Sequence, residues 1–219
     1  MSLPVVVTPQ DDESLPGLLM RVSERNIVPN ALQLLRSLGL KPRVDYSAQD
    51  VAVLAEECGV AVERIRSRNP LRQSPIPLLR HRFQRSSGIP VCPACLAEQA
   101  YLRQAWSHDL VVACPRHGIG LIEACPSCEA PLTLDRQRVD TCDCGQVLSD
   151  VPPRSASVAE LAIAALLQGL PHSARQSLPE AFHEGAAPTD IAEFLEFLGC
   201  IWAPVRPLAN PARRRDRRP

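Results

Sequence analysis

The decisive stretch is residues 92–144: Cys92-Pro-Ala-Cys95, then Cys114-Pro-Arg-His117, then Cys125-Pro-Ser-Cys128, then Cys142-Asp-Cys144. These eight metal-ligating residues fall in four close pairs. A pair one or two residues apart lets a single tight turn present two side chains to one ion, and two such turns complete the tetrahedron of N or S ligands that Zn²⁺ prefers. Sequential pairing gives a site of three cysteines and a histidine (Cys92, Cys95, Cys114, His117) and a site of four cysteines (Cys125, Cys128, Cys142, Cys144). Crossed pairing, first turn with third and second with fourth, is the less favoured alternative that spacing alone leaves open. In either case two structural zinc ions are expected. Both sites close with protein ligands, whereas a catalytic zinc keeps an open fourth position.

Working outward, the compartment supports metal over disulfides. The N-terminus, Met1 to Gln10, has neither the basic start nor the apolar run of a signal peptide. No segment approaches the run of apolar residues that spans a membrane. The expectation is a cytoplasmic chain whose thiols stay reduced. At 219 residues the chain fits one large or two small domains, and only 4% of its residues are aromatic. Metal offsets that thin supply of large core side chains. Structural Zn²⁺ contributes about 10–16 kcal/mol in finger peptides, against a domain's net stability of about 5–15 kcal/mol. The 22 prolines mark many loop boundaries.

Formal net charge is +0, so gross charge selects no partner. Its distribution is more informative. Arg64, Arg66, Arg68, Arg72, Arg80, Arg82 and Arg85 cluster ahead of the zinc region, and a second arginine run closes the chain. Arginine's planar fork suits phosphate, so the cluster is the candidate nucleic-acid contact; a solvated surface is the competing reading.

Before the zinc region the pattern is helical. Ser14 caps a helix carrying Leu15, Leu18, Leu19 and Val22. A second helix spans 30–38. Ser47 with Asp50 caps a third, running to Glu57, and Cys58-Gly59-Val60 turns the chain into a fourth, Ala61 to Arg68. This last pair resembles a helix-turn-helix. Tyr101 to Trp106 reads as a short helical stretch and Leu110 to Val112 as a short strand. Cys58 reads as a small buried hydrophobe and His108 as structural or exposed. Beyond Pro152-Pro153, helices are expected at 157–168 and, capped by Thr189, at 190–200. The expected fold is mostly α with small β zinc ribbons. It divides into an N-terminal helical region (13–88), a double zinc-ribbon module (89–150), C-terminal helices (155–202) and a basic tail (203–219).

Two blocks carry a family likeness. Glu13-Ser14-Leu15 with Leu18-Leu19, Arg21 and Asn26 resembles the opening signature of TniQ-type transposition proteins. Cys92-Pro-x-Cys95-Leu96-x-Glu98, Tyr101-x-Arg103, Trp106, Cys114-Pro-x-His117, Leu121, Cys125-Pro-x-Cys128 and Leu132 resemble the zinc region of the same family. The resemblance covers roughly 13–150. It implies a non-enzymatic adaptor that touches target DNA or an RNA-guided targeting complex and recruits a transposon AAA+ ATPase, which engages the transposase. Joined to the leucine stripe, it points to Leu15, Leu18, Leu19 and Arg21 as a partner contact; packing on the helical core is the alternative for the leucines. The chain departs from the pattern in being shorter than the long members and in its Cys142-x-Cys144 turn. The oligomeric state stays open between monomer and homo-oligomer. The competing functions are a stand-alone DNA-binding transcription regulator and, more remotely, a zinc-assisted hydrolase. The hydrolase lacks paired carboxylates near the ligands and a Gly-rich phosphate loop.

Overall fold

The computed structural model describes residues 3–43, 45–68, 85 and 88–183. Helix α1 (Leu15–Arg25) opens at Ser14, whose hydroxyl accepts from the Gly17 N–H. Its buried residues include Leu15, Leu18, Leu19 and Val22, the i, i+3, i+4, i+7 stripe of a core-facing helix. The helix ends at Asn26, and the next residue, Ile27, takes the left-handed conformation (φ 57°). Helix α2 (Ala31–Ser37) is capped by Asn30 and packs on α1. Helix α3 (Ala48–Cys58) starts from a reciprocal capping box between Ser47 and Asp50, as the sequence suggests. Gly59, at φ 64°, reverses the chain into α4 (Val62–Arg66). With only five residues, α4 is shorter than the 61–68 helix expected from sequence.

The ligand-bearing region contributes a short helix, α5 (Pro93–Glu98), that the sequence reading did not anticipate. It also contributes the hairpin β1 (Ala113–Cys114) and β2 (Ile119–Gly120). The strand expected at 110–112 starts later, at Ala113. β3 (Arg154–Ser155) pairs antiparallel with β2 to complete a three-stranded sheet in the order β1-β2-β3. Helix α6 (Val158–Leu167), with a Ser157–Glu160 capping box, packs against β1 and is stopped by Gly169 at φ 64°. The helix expected at 190–200, Cys200 and the basic tail lie outside the described residues.

One apolar cluster runs through both halves. Leu18, Val22, Leu34, Leu35, Leu54 and Ile65 from the helices join Leu102, Trp106, Leu121, Leu132 and Leu148 from the ligand-bearing region. The two halves are stitched by backbone as well. Ser14 N donates to Leu102 O (2.8 Å) and Gln104 N to Asp12 O (2.7 Å). Gly17 sits on this seam: a Cβ there would lie 2.8 Å from Leu102 Cβ and 3.1 Å from the Leu102 backbone. Among the described residues no helix is long and apolar enough to cross a membrane.

Candidate metal centres

The first centre is assembled by two local devices. Cys92 caps α5, its Sγ lying 3.5 Å from the Cys95 N–H, so one helical turn delivers both thiols. Cys114 ends β1, and the hairpin turn brings His117 back over it. The turn closes with Gly118 at φ 67°, whose N–H donates to Cys114 O (2.9 Å). His117 Nδ1 then lies 3.5, 3.3 and 3.5 Å from the sulfurs of Cys92, Cys95 and Cys114, and the Cys95 and Cys114 sulfurs are 3.7 Å apart.

The second centre uses two similar turns. Glu129, at φ 59°, donates its N–H to Cys125 O (2.8 Å), and Gly145, at φ 92°, donates to Cys142 O (2.8 Å). Left-handed backbone directly after the second ligand thus closes three of the four turns, a conformation that favours glycine and is taken here once by glutamate. Cys125 and Cys144 sulfurs lie 3.6 Å apart, and those of Cys128 and Cys142 3.7 Å. Arg136, buried under the connecting loop, donates to the carbonyls of Thr133, Arg138 and Val139 and holds it in place.

The donor sets fit a tetrahedral ion. Zn–S and Zn–N bonds of ordinary length at tetrahedral angles place two thiolates about 3.8 Å apart and a thiolate and imidazole about 3.5 Å apart. The observed edges match those values. Charge leads to the same conclusion. In the first cluster, sulfur hydrogen bonds from Cys92 and Cys95 push the Cys114 thiol well below its usual range, while the bond to Cys114 drives Cys92 far above it. Thiols this close share protons among themselves, and they can all ionise together only around a cation. Each cluster can therefore hold one metal ion. The pairing is sequential, and crossed pairing is ruled out by the positions of the turns.

The outer shells differ. His117 presents Nδ1 to the sulfurs, and its Nε2–H donates to Glu98 Oε1 (3.1 Å), fixing the ring orientation as such carboxylates do around metals. Glu98 also pairs with Arg116 (3.0 Å). Arg103 Nε donates to Cys95 Sγ (3.3 Å) and its NH1 to Asp12 Oδ2 (2.5 Å). Neither the role of Asp12 nor that of Arg136 was visible in the sequence, because both act across loops that only the fold brings together. Cys92, Cys95 and Cys114 are buried, whereas Cys128 and Cys144 are exposed.

Other candidate residues are redistributed. Leu15, Leu18 and Leu19 are at most 2% exposed, so they form core and offer no stripe to a partner. Arg21 is held by Glu13, whose carboxylate is fully buried, at 2.8 and 2.9 Å, and serves as an internal ion pair. The arginine cluster does not form one surface. Arg68 is buried and donates to Gln10 O and Arg64 O, and Arg85 turns inward to Glu123 and the carbonyls of Asp109 and Val111. Their terminal nitrogens are taken up within the fold, while the Nε of each is buried without a hydrogen-bond partner among the described residues. Arg64 and Arg66 remain about half-exposed, paired with Asp11 and Glu63. Arg72, Arg80 and Arg82 lie outside the described residues. His108 and Cys58 belong to neither metal cluster.

The structure thus defines a helical scaffold carrying two four-residue Cys/His clusters, each of which can hold a metal ion. A family model for TniQ matches residues 4–121, from the segment ahead of α1 through the first metal centre, and the chain belongs to the TniQ family. Membership implies a transposition-associated, non-catalytic adaptor role. The match stops before Cys125, so the second centre lies beyond it. No curated protein matches the chain.

Proposed function

We propose that this chain is a cytoplasmic, non-enzymatic adaptor in transposon target-site selection, linking target DNA or a nucleic-acid-guided targeting complex to a AAA+ transposition ATPase. The observation that carries the reading is the TniQ match across α1–α4 and the first centre. Two features support it. Both clusters are closed by protein ligands, which suits structural Zn²⁺ and leaves no open coordination position for turnover. Arg64 and Arg66 on α4, about half-exposed and paired with Asp11 and Glu63, are the candidate phosphate contacts next to the α3–α4 turn. With a second helix of five residues, that turn is a meagre sequence reader, which favours adaptor over regulator.

The test is capture of the ATPase encoded by the same element with ATP, ADP or no nucleotide, beside a DNA titration at matched salt. ATP-dependent association stronger than binding to DNA alone is expected. Tight sequence-specific DNA binding with no nucleotide-dependent association would assign the chain to the transcription regulators.

A further inference from the structure

We infer that Arg103 is a positioning residue that couples the first metal centre to the docking of the N-terminal segment. The inference rests on the metal reading above. Arg103 is the point where the two halves meet through charge. Its Nε donates to Cys95 Sγ at 3.3 Å, and Cys95 is fully buried. On its other edge NH1 reaches Asp12 Oδ2 at 2.5 Å and Tyr101 Oη at 2.7 Å. Tyr101 in turn donates to Asp12 Oδ1 at 2.6 Å, and the guanidinium carbon lies 4.9 Å from the centre of the Tyr101 ring. The backbone bonds between Ser14 and Leu102 and between Gln104 and Asp12 flank this cluster on either side.

A guanidinium can donate in two directions from one rigid plane, which an ammonium cannot do. Here one direction ends on a metal-ligating sulfur and the other on the carboxylate that leads into α1. A thiolate bound to metal is a charged acceptor, and a protonated thiol is a poor one. Metal loading therefore strengthens the bond that holds Arg103 in place for Asp12. By reciprocity, seating Asp12 orients the donor that stabilises the thiolate. Among the described residues the second centre has no counterpart: its nearby arginine, Arg136, donates to carbonyls of its own loop.

The experiment uses the full zinc-loaded chain. Zinc transfer to a chromogenic chelator is followed for wild type, Arg103→Gln, Arg103→Lys and Asp12→Asn, with hydrogen exchange at the Ser14 and Gln104 amides. The visible spectrum of each cobalt-substituted protein is recorded alongside. The second centre, with Cys128 and Cys144 exposed, is expected to supply the fast phase and the first centre, with its three cysteines buried, the slow one. Arg103→Gln is expected to accelerate only the slow phase, by about 10–100-fold, and to shift the sulfur-to-cobalt charge-transfer band. Arg103→Lys should fall between it and wild type. Asp12→Asn should speed exchange at both amides and accelerate the slow phase less. Chelation of the first centre in wild type should speed exchange at the same two amides. If Arg103→Gln does not fold, the lysine and asparagine variants carry the test. A slow phase absent from wild type overturns the metal centre and the inference with it. A slow phase present in wild type but unmoved, or both phases accelerated equally with an unchanged cobalt spectrum, overturns the inference alone.

Discussion

At the residue scale, the half-buried His108 is expected to give this protein a pH response separate from its metals. Its Nδ1 accepts the Leu110 N–H at 3.2 Å, so the neutral ring is the form that fits. Burial, and then the charge of Arg85, push the imidazole down to about 4. Because the folded value lies below the unfolded one of about 6.5, the unfolded chain binds the extra proton first. Stability is therefore whole above about pH 6.5 and falls as pH drops towards 4, by about 3 kcal/mol over that window. Replacing His108 with asparagine, whose Oδ1 can take the Leu110 N–H, should flatten the difference in denaturant midpoint between pH 7 and pH 5. Acid loss of metal is common to both proteins, so the difference between them isolates the ring. Equal slopes would show that His108 is not protonated on unfolding. Cys58 is the simpler case: burial pushes its thiol up to about 11, as befits a small apolar side chain inside the helical core.

At the scale of elements, α1 and α4 carry the testable consequences. α1 approaches Leu102 so closely that Gly17 has no room for a methyl group. Gly17→Ala, ordinarily a gain inside a helix, should instead destabilise by about 1–3 kcal/mol, the usual cost of overpacking. Thermal unfolding would read this directly, and a raised midpoint would mean that α1 does not seat on the metal-bearing half. On α4, the exposed and buried arginines should separate in a salt titration of duplex DNA binding. Each phosphate neutralised contributes about 0.9 to the slope of log K against log salt. Arg64→Ala with Arg66→Ala should lower that slope by up to about 2 on the same rule. Arg68→Ala should lower stability and leave the slope unchanged, since its guanidinium serves Gln10 and Arg64 carbonyls. A slope that responds to Arg68 alone would move the nucleic-acid contact off this face.

For the whole molecule, the unequal burial of the two centres sets an order of metal loss. Purified without chelator, the chain should carry two zinc ions, because each cluster supplies four ligands. Chelator should remove them in two phases, the centre with exposed Cys128 and Cys144 first. Cys128→Ser should abolish the fast phase and leave the helices folded. Cys95→Ser should unfold the shared core, since that sulfur lies among side chains from both halves. A single phase, or one ion per chain, would contradict the assignment.

What the sequence determined by itself was whatever depends on neighbours a few residues apart. Ligand turns, the Ser14 and Ser47 caps, the turn at Gly59 and the apolar stripe of α1 are local, and each appears where the pattern puts it. The eight ligands were legible for the same reason, since a turn that presents two donors has to place them close in sequence. Tertiary structure alone decided which turns meet and what the stripe faces. Crossed and sequential pairing have the same local pattern, and only the positions of the hairpin and α5 separate them. Leu15, Leu18 and Leu19 look the same in sequence whether they face a partner or a core. Their burial follows from Leu102 and Trp106, which come to α1 from far along the chain. Arg68 and Arg85 likewise read as phosphate contacts until the fold turns their terminal nitrogens onto the Gln10 and Arg64 carbonyls and the Glu123 carboxylate. The charge of a side chain is written in the sequence, but its partner is a distance in space.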